Sequence, residues 1–288
     1  MKIVDLHVHS NRSDGSMSPS ELVDLAVEKD LSAFALTDHD TVDGVPEALI
    51  RAEEWAKKGT AIEVIPGIEL STEYKGKDIH IVGIDINYEA KTFKQYLTDF
   101  VNSRILRNKK MCHNLQEAGI DISYERLLEE YPGSVITRAH YARFLHEHGY
   151  TASMKEAFER YVGDHTKYFV PREKVTPVQA VKLILNAGGI PILAHPVLYG
   201  LVKTALDTLV AELKDAGLMG IEAVYSTYTP SDERDITALA LKYDLAISGG
   251  SDFHGKAKPD IDLAVGRGKL FVHEGILKGL RDKKQVLL

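Results

Sequence analysis

Hydrophobic and polar positions along this chain switch repeatedly between two periods. Ile3–Val8 alternates apolar and polar side chains, the two-residue repeat of a half-buried strand. Ser18-Pro19-Ser20-Glu21 then supplies an N-cap serine, a proline at the first helical position and a capping-box glutamate, which predicts a helix start. Thr176-Pro177-Val178-Gln179 repeats this arrangement, and Thr229-Pro230-Ser231-Asp232 does so more loosely. Further strands are predicted at Ala33–Thr37, Ala61–Ile65, Ile79–Ile86, Ile190–Ala194, Gly220–Tyr225, Leu245–Ser248 and Lys269–Val272. Helices are predicted between most of them, at Val45–Lys58, Val178–Ala187, Thr204–Ala216, Ser231–Tyr243 and near Glu274–Asp282. Gly59, Gly188 and Gly217 stand where helix C-caps belong. About seven or eight strands alternating with helices predict an α/β fold, a parallel sheet closed or nearly closed into a barrel.

One stretch breaks the alternation. Between residues 92 and 167 the pattern is helical only, with Phe93, Tyr96, Leu97, Phe100 and Val101 spaced as one helix face. Leu127-Leu128, Arg138–His148 and Met154–Tyr161 read the same way. The expected organisation is therefore a barrel domain formed by residues 1–91 and 168–288, interrupted by a helical insertion domain at 92–167.

Composition narrows the class. With 44% hydrophobic and 27% charged residues in 288, the chain has ample material for a core and none of the profile of disorder. No apolar run approaches the ~18 residues of a membrane helix. Met1–Ser10 already contains Asp5, His7 and His9, which reads against a signal peptide. Cys112 is the only cysteine, so no disulfide forms within the chain and no thiolate metal site is available. The expected location is cytoplasmic. Lys and Arg number 35 against 42 Asp and Glu, a net charge of −7 that disfavours duplex DNA as a partner. Bound divalent cations lie outside that count and could make one pocket electropositive.

Twelve histidines change the picture by where they fall. His7 and His9 follow the first strand, His39 the second, His195 the fifth and His254 the seventh, while His80 lies on the fourth. Asp14, Asp38, Glu69 and Asp252 join them at the same edge. Each segment has an ordinary reading on its own: a turn, a helix cap, a satisfied core histidine. Four such segments at four strand ends point instead to the face where parallel barrels build active sites. Imidazole and carboxylate without thiolate suit zinc, iron(II) or manganese. Asp38 and Asp40 fit either an outer contact to His39 or a turn. His113, His146, His148, His165 and His273 have no motif around them and are expected at the surface or satisfied in the core. In the insertion, Arg104, Arg107 and Asn108 share one helix face, and Arg138 and His140 fall near another helix start. Spacing alone leaves these open between anion contacts and a solvated basic face.

Asp5-x-His7-x-His9, Asp14-Gly15, Thr37-Asp38-His39, Pro66-Gly67-Ile68-Glu69, His80, Ala194-His195-Pro196 and Gly250-Ser251-Asp252-x-His254 resemble, in order and over nearly the whole chain, the PHP family, named for polymerase and histidinol phosphatase. The resemblance implies a distorted (β/α)7 TIM-like barrel and three divalent metal ions per chain (Mn, Fe or Zn). One is held by His7, His9, Glu69 and Asp252, a second by Glu69, His80 and His195 with Glu69 as bridge, and a third by Asp14, His39 and His254. It also implies a metal-dependent phosphoesterase, in which a metal-activated water attacks phosphorus. The branch it resembles most acts on 3′,5′-bisphosphonucleotides and the 5′ ends of short RNA. In that branch a helical insertion bears an Arg-rich helix and an Arg-x-His segment, which makes Arg104, Arg107, Arg138 and His140 expected substrate contacts. The implied partner is a small phosphorylated nucleotide or RNA end, with neither duplex DNA nor membrane. Histidinol-phosphate phosphatase, a non-catalytic metal-binding regulatory module and amidohydrolase-type C–N hydrolysis are the alternatives.

Overall fold

The computed structural model of the protein describes residues 2–170 and 175–287, without the side chains of Asp99, Phe100 and Leu287. Phe100, counted above in a helix face, therefore lies outside the described side chains. In chain order the elements are β1 (Ile3–Val8), α1 (Pro19–Glu28), β2 (Leu31–Leu36), α2 (Val45–Lys57), β3 (Glu63–Tyr74), β4 (Lys77–Ile84), α3 (Lys91–Glu117), α4 (Tyr124–Glu130), α5 (Arg138–Glu147) and α6 (Met154–Ala157). A π-helical turn at Phe158–Val162 follows, then α7 (Pro177–Asn186), β5 (Ile190–Leu193), α8 (Lys203–Asp215), β6 (Gly220–Tyr225), α9 (Pro230–Lys242), β7 (Ala246–Gly250) and α10 (Glu274–Leu287). The caps form as their residues dictate. The Ser18 hydroxyl accepts from Glu21 N while the Glu21 carboxylate accepts from Ser18 N, and reciprocal pairs also open α7 at Thr176 and α9 at Thr229.

The strands form one seven-stranded sheet in sequence order, nearly closed into the expected distorted TIM-like barrel. Backbone bonds from His9 N to Phe253 O (3.0 Å) and from Asp252 N to His7 O (2.9 Å) join its two edges. Three expectations are corrected. The third strand does not stop at Ile65 but continues through Pro66-Gly67 to Tyr74. The sheet is not wholly parallel, because β4 runs antiparallel to both β3 and β5. The cause is local: Lys75 and Gly76 both take positive φ (52° and 82°), a two-residue hairpin turn that leaves no room for a crossover helix. Finally, Lys269–Val272 is not a strand; it contributes Val272 O to Val4 N, and the next residue, His273, makes a single bridge with Ile3.

Two apolar clusters support the barrel. The larger packs α1, α2 and α7–α9 against the strands, and the smaller joins residues of β1–β5 to Leu277 and Leu280 of α10. The later part of α3 and helices α4–α6 have their own cluster, with Met111, Leu115, Tyr141, Phe144 and Leu145 fully buried. At the start of α3, Phe93 and Leu97 enter the barrel core, whereas Tyr96, expected on the same face, is 54% exposed. Among the described residues no helix is long and apolar enough to cross a membrane.

The closing seam leaves no space at Gly250, where an added Cβ would lie 2.5 Å from His7 Cβ and 2.6 Å from His7 N. Gly250→Ala is expected to cost about 1–3 kcal/mol of unfolding free energy. Gly279→Ala, in α10 with nothing within 4 Å, should instead stabilise by about 0.5–1 kcal/mol. Urea denaturation of both variants checks the contrast; equal effects would mean that the seam is not tightly packed.

Candidate metal centre and adjoining anion pocket

Each contributing element delivers one or two side chains to the same end of the barrel. β1 carries His7, with His9 just beyond it, and the following loop carries Asp14. His39 follows β2, held there by Asp40 N bonding to Glu69 O (2.9 Å) and Glu69 N to Asp38 O (3.1 Å). Glu69 sits inside β3, and the reversal of β4 brings His80, near that strand's start, to the same rim. His195 follows β5, and Asp252 and His254 follow β7. His195 (φ 25°) and Asp252 (φ 55°) both adopt the left-handed backbone region, a strain that the surrounding structure must hold in place.

These side chains converge into three overlapping groups. Around the first, His7 Nε2 and His9 Nε2 lie 3.1 Å apart, 3.3 and 3.2 Å from Glu69 Oε2, and 3.7 and 3.4 Å from Asp252 Oδ1. In the second, Glu69 Oε1 stands 2.9 Å from both His80 Nδ1 and His195 Nε2. In the third, Asp14 lies 3.2 Å from His254 Nε2 and 3.8 Å from His39 Nε2. His39 also touches the second group, with Nδ1 3.1 Å from Glu69 Oε2.

Burial and charge are in tension here. Burial favours neutral carboxyls at Asp14, Glu69 and Asp252, yet neighbouring imidazoles, and Lys258 at Asp252, hold all three well below the usual carboxylate range. Burial likewise disfavours a charged His9, but Asp252 and Glu69 push it up to about 9, and His7 rises for similar reasons. His39 goes the other way, held down to about 3 by burial. Carboxylates that hold imidazoles protonated would hold a cation in the same place. His195 Nδ1 is buried without a hydrogen-bond partner, so the donor set is unfinished as a purely protein network. Oxygen and imidazole donors within 4.8 Å of one another fit a divalent ion.

A ring of partners fixes these groups. Glu222 Oε1 faces His7 Nδ1 (3.1 Å), while its Oε2 accepts from His195 N (2.7 Å). The Tyr225 hydroxyl and Lys258 Nζ both donate to Asp252 Oδ2, at 2.5 and 2.6 Å. Asp5 accepts from Ser251 N, Ser251 Oγ and Ala264 N, and so anchors the segment carrying Asp252. Asp38 accepts from Ser10 and Ser13, which anchors the loop after His9. Sequence reasoning missed Glu222, Tyr225 and Lys258. Only Glu222 had a visible signal, as a carboxylate in the middle of an otherwise apolar predicted strand.

A cavity of about 340 Å3 opens from Asp14, His39, His80 and His254 toward the insertion, where Arg104, Arg107 and Arg138 line it. The three arginines differ. Arg104 is taken by Asp40 and by Ser71 Oγ (2.7 Å), and Arg138 pairs with Asp78 (2.8 Å). Arg107 is 6% exposed and its Nε has no hydrogen-bond partner. Burial, with Arg104 and Arg138 nearby, lowers its guanidinium to about 9. His140 is the exception among the expected substrate contacts. It is fully buried and absent from the cavity lining, because its Nδ1 accepts from Thr137 N in the cap of α5. The same cap turns the Thr137 hydroxyl onto Asp14 Oδ2 (2.9 Å), tying the insertion to the barrel centre.

The PHP domain family model matches residues 5–175. The 5′-3′ exoribonuclease Rnm of Salmonella typhimurium is 35% identical to this chain, over 95% of it and 91% of the relative. The 3′,5′-nucleoside bisphosphate phosphatase of Chromobacterium violaceum is 31% identical over 91% of each chain. The solved structure of an amidohydrolase from C. violaceum, with bound sulfate and no metal, has a TM-score of 0.84 at 29% identity, covering 97% of this chain and 96% of that one. With these likenesses spanning barrel, site and insertion alike, the chain belongs to the PHP domain family and is a metal-dependent phosphoester hydrolase.

Proposed function

We propose that the chain hydrolyses a phosphate ester of a nucleotide bearing a second phosphate, either a nucleoside 3′,5′-bisphosphate or the 5′-phosphorylated end of a short RNA. The observation that carries this reading is Arg107, a buried guanidinium without a partner at Nε, in a cavity that also contains the imidazoles of the candidate metal centre. Guanidinium forks match phosphate geometry, and a buried one lacking partners is completed by an anion. Histidinol phosphate and the amide of a C–N hydrolysis offer no second phosphate and would leave Arg107 unused.

Three divalent cations are proposed, manganese, iron or zinc. His7, His9, Glu69 and Asp252 would hold one, Glu69, His80 and His195 a second, and Asp14, His39 and His254 a third. Cations so held neutralise phosphate oxygens and make a water nucleophilic at neutral pH. Glu69 suits a bridge because its two oxygens face different imidazoles. Glu222 fixes the His7 ring through Nδ1 and so presents Nε2 to the centre. Asp40 and Asp78 hold Arg104 and Arg138 in place before substrate arrives, which lowers the ordering cost of binding. Helices 92–167 act in this reading as a substrate cap, closing over the cavity through Arg104, Arg107 and Arg138.

Purified protein reconstituted with manganese is expected to carry two to three equivalents of metal per chain by elemental analysis. Less than one equivalent in a folded sample would sink the trinuclear reading. Glu69→Gln and Asp252→Asn should each abolish turnover and lower metal content with the fold retained by circular dichroism. His113→Ala, on an exposed side chain, should be silent.

Arg107→Gln and Arg138→Ala are expected to lower kcat/KM for a 3′,5′-bisphosphonucleotide by roughly tenfold to a hundredfold, the size of one charge-assisted hydrogen bond. The matched 3′-monophosphate should lose far less. Equal losses on both substrates would place these arginines at the scissile phosphate or in support of the fold, and histidinol phosphate would then have to be tested as the substrate.

A further inference from the structure

We infer that a strip of the insertion from Phe158 to Tyr168 carries the nucleotides of a single-stranded RNA that lie beyond the scissile phosphate. The inference rests on the reading above that a 5′-phosphorylated RNA end is a substrate. Releasing the first nucleotide of such an RNA and removing the 3′-phosphate of a bisphosphonucleotide break the same bond. In both, a water oxygen joins phosphorus, the bond from phosphorus to O3′ breaks, and O3′ takes a proton. The substrates differ only in whether the phosphorus also carries the 5′-oxygen of a further nucleotide. Hydrolysing RNA therefore requires a way out of the site at the scissile phosphorus.

Such a way out exists. A second cavity, of about 340 Å3, adjoins the first, and Asp78, His80, Arg138 and Phe158 border both. It also reaches His195, and its rim includes Leu198, an apolar side chain left 54% exposed. A third cavity, of about 350 Å3, continues from it past Glu159 and His165 and is lined by Arg160, Tyr161, Lys167 and Tyr168. The π-helical turn places Phe158 on the inner two cavities and Tyr161 on the outer one.

The chemistry of this route suits a strand of RNA. The rings of Tyr161 and Tyr168 stack with centroids 5.6 Å apart, Lys167 Nζ lies 4.9 Å from the Tyr168 ring, and the Arg160 guanidinium lies 5.1 Å from the Tyr161 ring. Aromatic faces take bases of any sequence, and the exposed Lys167 beside them can swing to the phosphates, whereas Arg160 is engaged by Glu156 at 2.5 Å. Three carboxylates also line the route. Asp78 is neutralised by Arg138 at 2.8 Å and Glu159 is within 3.8 Å of Lys155. Asp164 has His165 at 3.7 Å, charged only if protonated, and counts against a phosphate there. Tyr161 and Tyr168 also pack against the apolar cluster of the insertion, so a purely structural role is the competing account.

The test measures kcat/KM of the metal-loaded enzyme for adenosine 3′,5′-bisphosphate and for a 5′-phosphorylated oligoadenylate pentamer. Wild type, Tyr168→Ala and the exposed charge reversal Lys167→Glu are compared. Tyr168→Ala should lose about tenfold on the pentamer, the scale of one base stack. Lys167→Glu should also lose on the pentamer and show a shallower dependence on salt. Neither should change on the bisphosphate. Equal losses on both substrates, or no loss on the pentamer, would overturn the strip. If wild type cleaves the bisphosphate but not the pentamer, the strip fails while the phosphoesterase reading stands. If it cleaves neither, that reading fails first.

Discussion

Three carboxylates, Asp14, Glu69 and Asp252, are buried at the rim of the barrel, Glu69 and Asp252 both facing His7 and His9, and Asp14 facing His39 and His254. Placing that much negative charge away from water is unfavourable unless positive charge is placed with it. Much of the architecture follows from this constraint. Imidazoles from β1, β4 and the ends of β2, β5 and β7 surround the carboxylates, and Lys258 adds a cation at Asp252. An outer layer of acids, Asp5, Asp38 and Glu222, binds serines and backbone amides and contacts His7, which fixes the segments that carry the inner groups. Left-handed backbone at His195 and Asp252 is tolerated because these bonds over-determine their position.

The insertion extends the same balance outward. Arg104, Arg107 and Arg138 add positive charge on the far side of the cavity, and two of them are already matched by Asp40 and Asp78. Arg107 is buried without a hydrogen-bond partner at Nε, which the second phosphate of the proposed substrate would complete. Thr137, capping α5 while donating to Asp14, means that the insertion and the barrel centre cannot shift independently without breaking that bond.

The alternation of strands and helices, the capping boxes of α1, α7 and α9, and the positions of the histidines at strand ends were legible in the sequence. Each depends on residues within a few positions of one another, where period and side-chain type suffice. Prediction failed where a non-local partner decided the outcome. Lys269–Val272 has the residues of a strand, yet only Val272 O reaches β1, at Val4 N, and the one bridge there is made by the next residue, His273, with Ile3. His140 is a different case: its partner Thr137 is only three positions away, and the sequence left open that the imidazole would serve as the cap of its own helix rather than face the cavity.

The sequence by itself determined the fold class, the rim at which chemistry-bearing residues gather and the residue types available there. Only the tertiary structure decided which oxygen of Glu69 faces which imidazole, that Glu222 fixes both His7 and His195, and that Arg107 Nε is left without a hydrogen-bond partner. The direction of β4 belongs in the same class, although its cause, a two-residue turn at Lys75-Gly76, is local. The physical reason is separation. Partners such as His7 and Glu222, or Thr137 and Asp14, lie more than a hundred positions apart. Their distances are set by strand register and barrel closure, and no periodicity within a single segment encodes either.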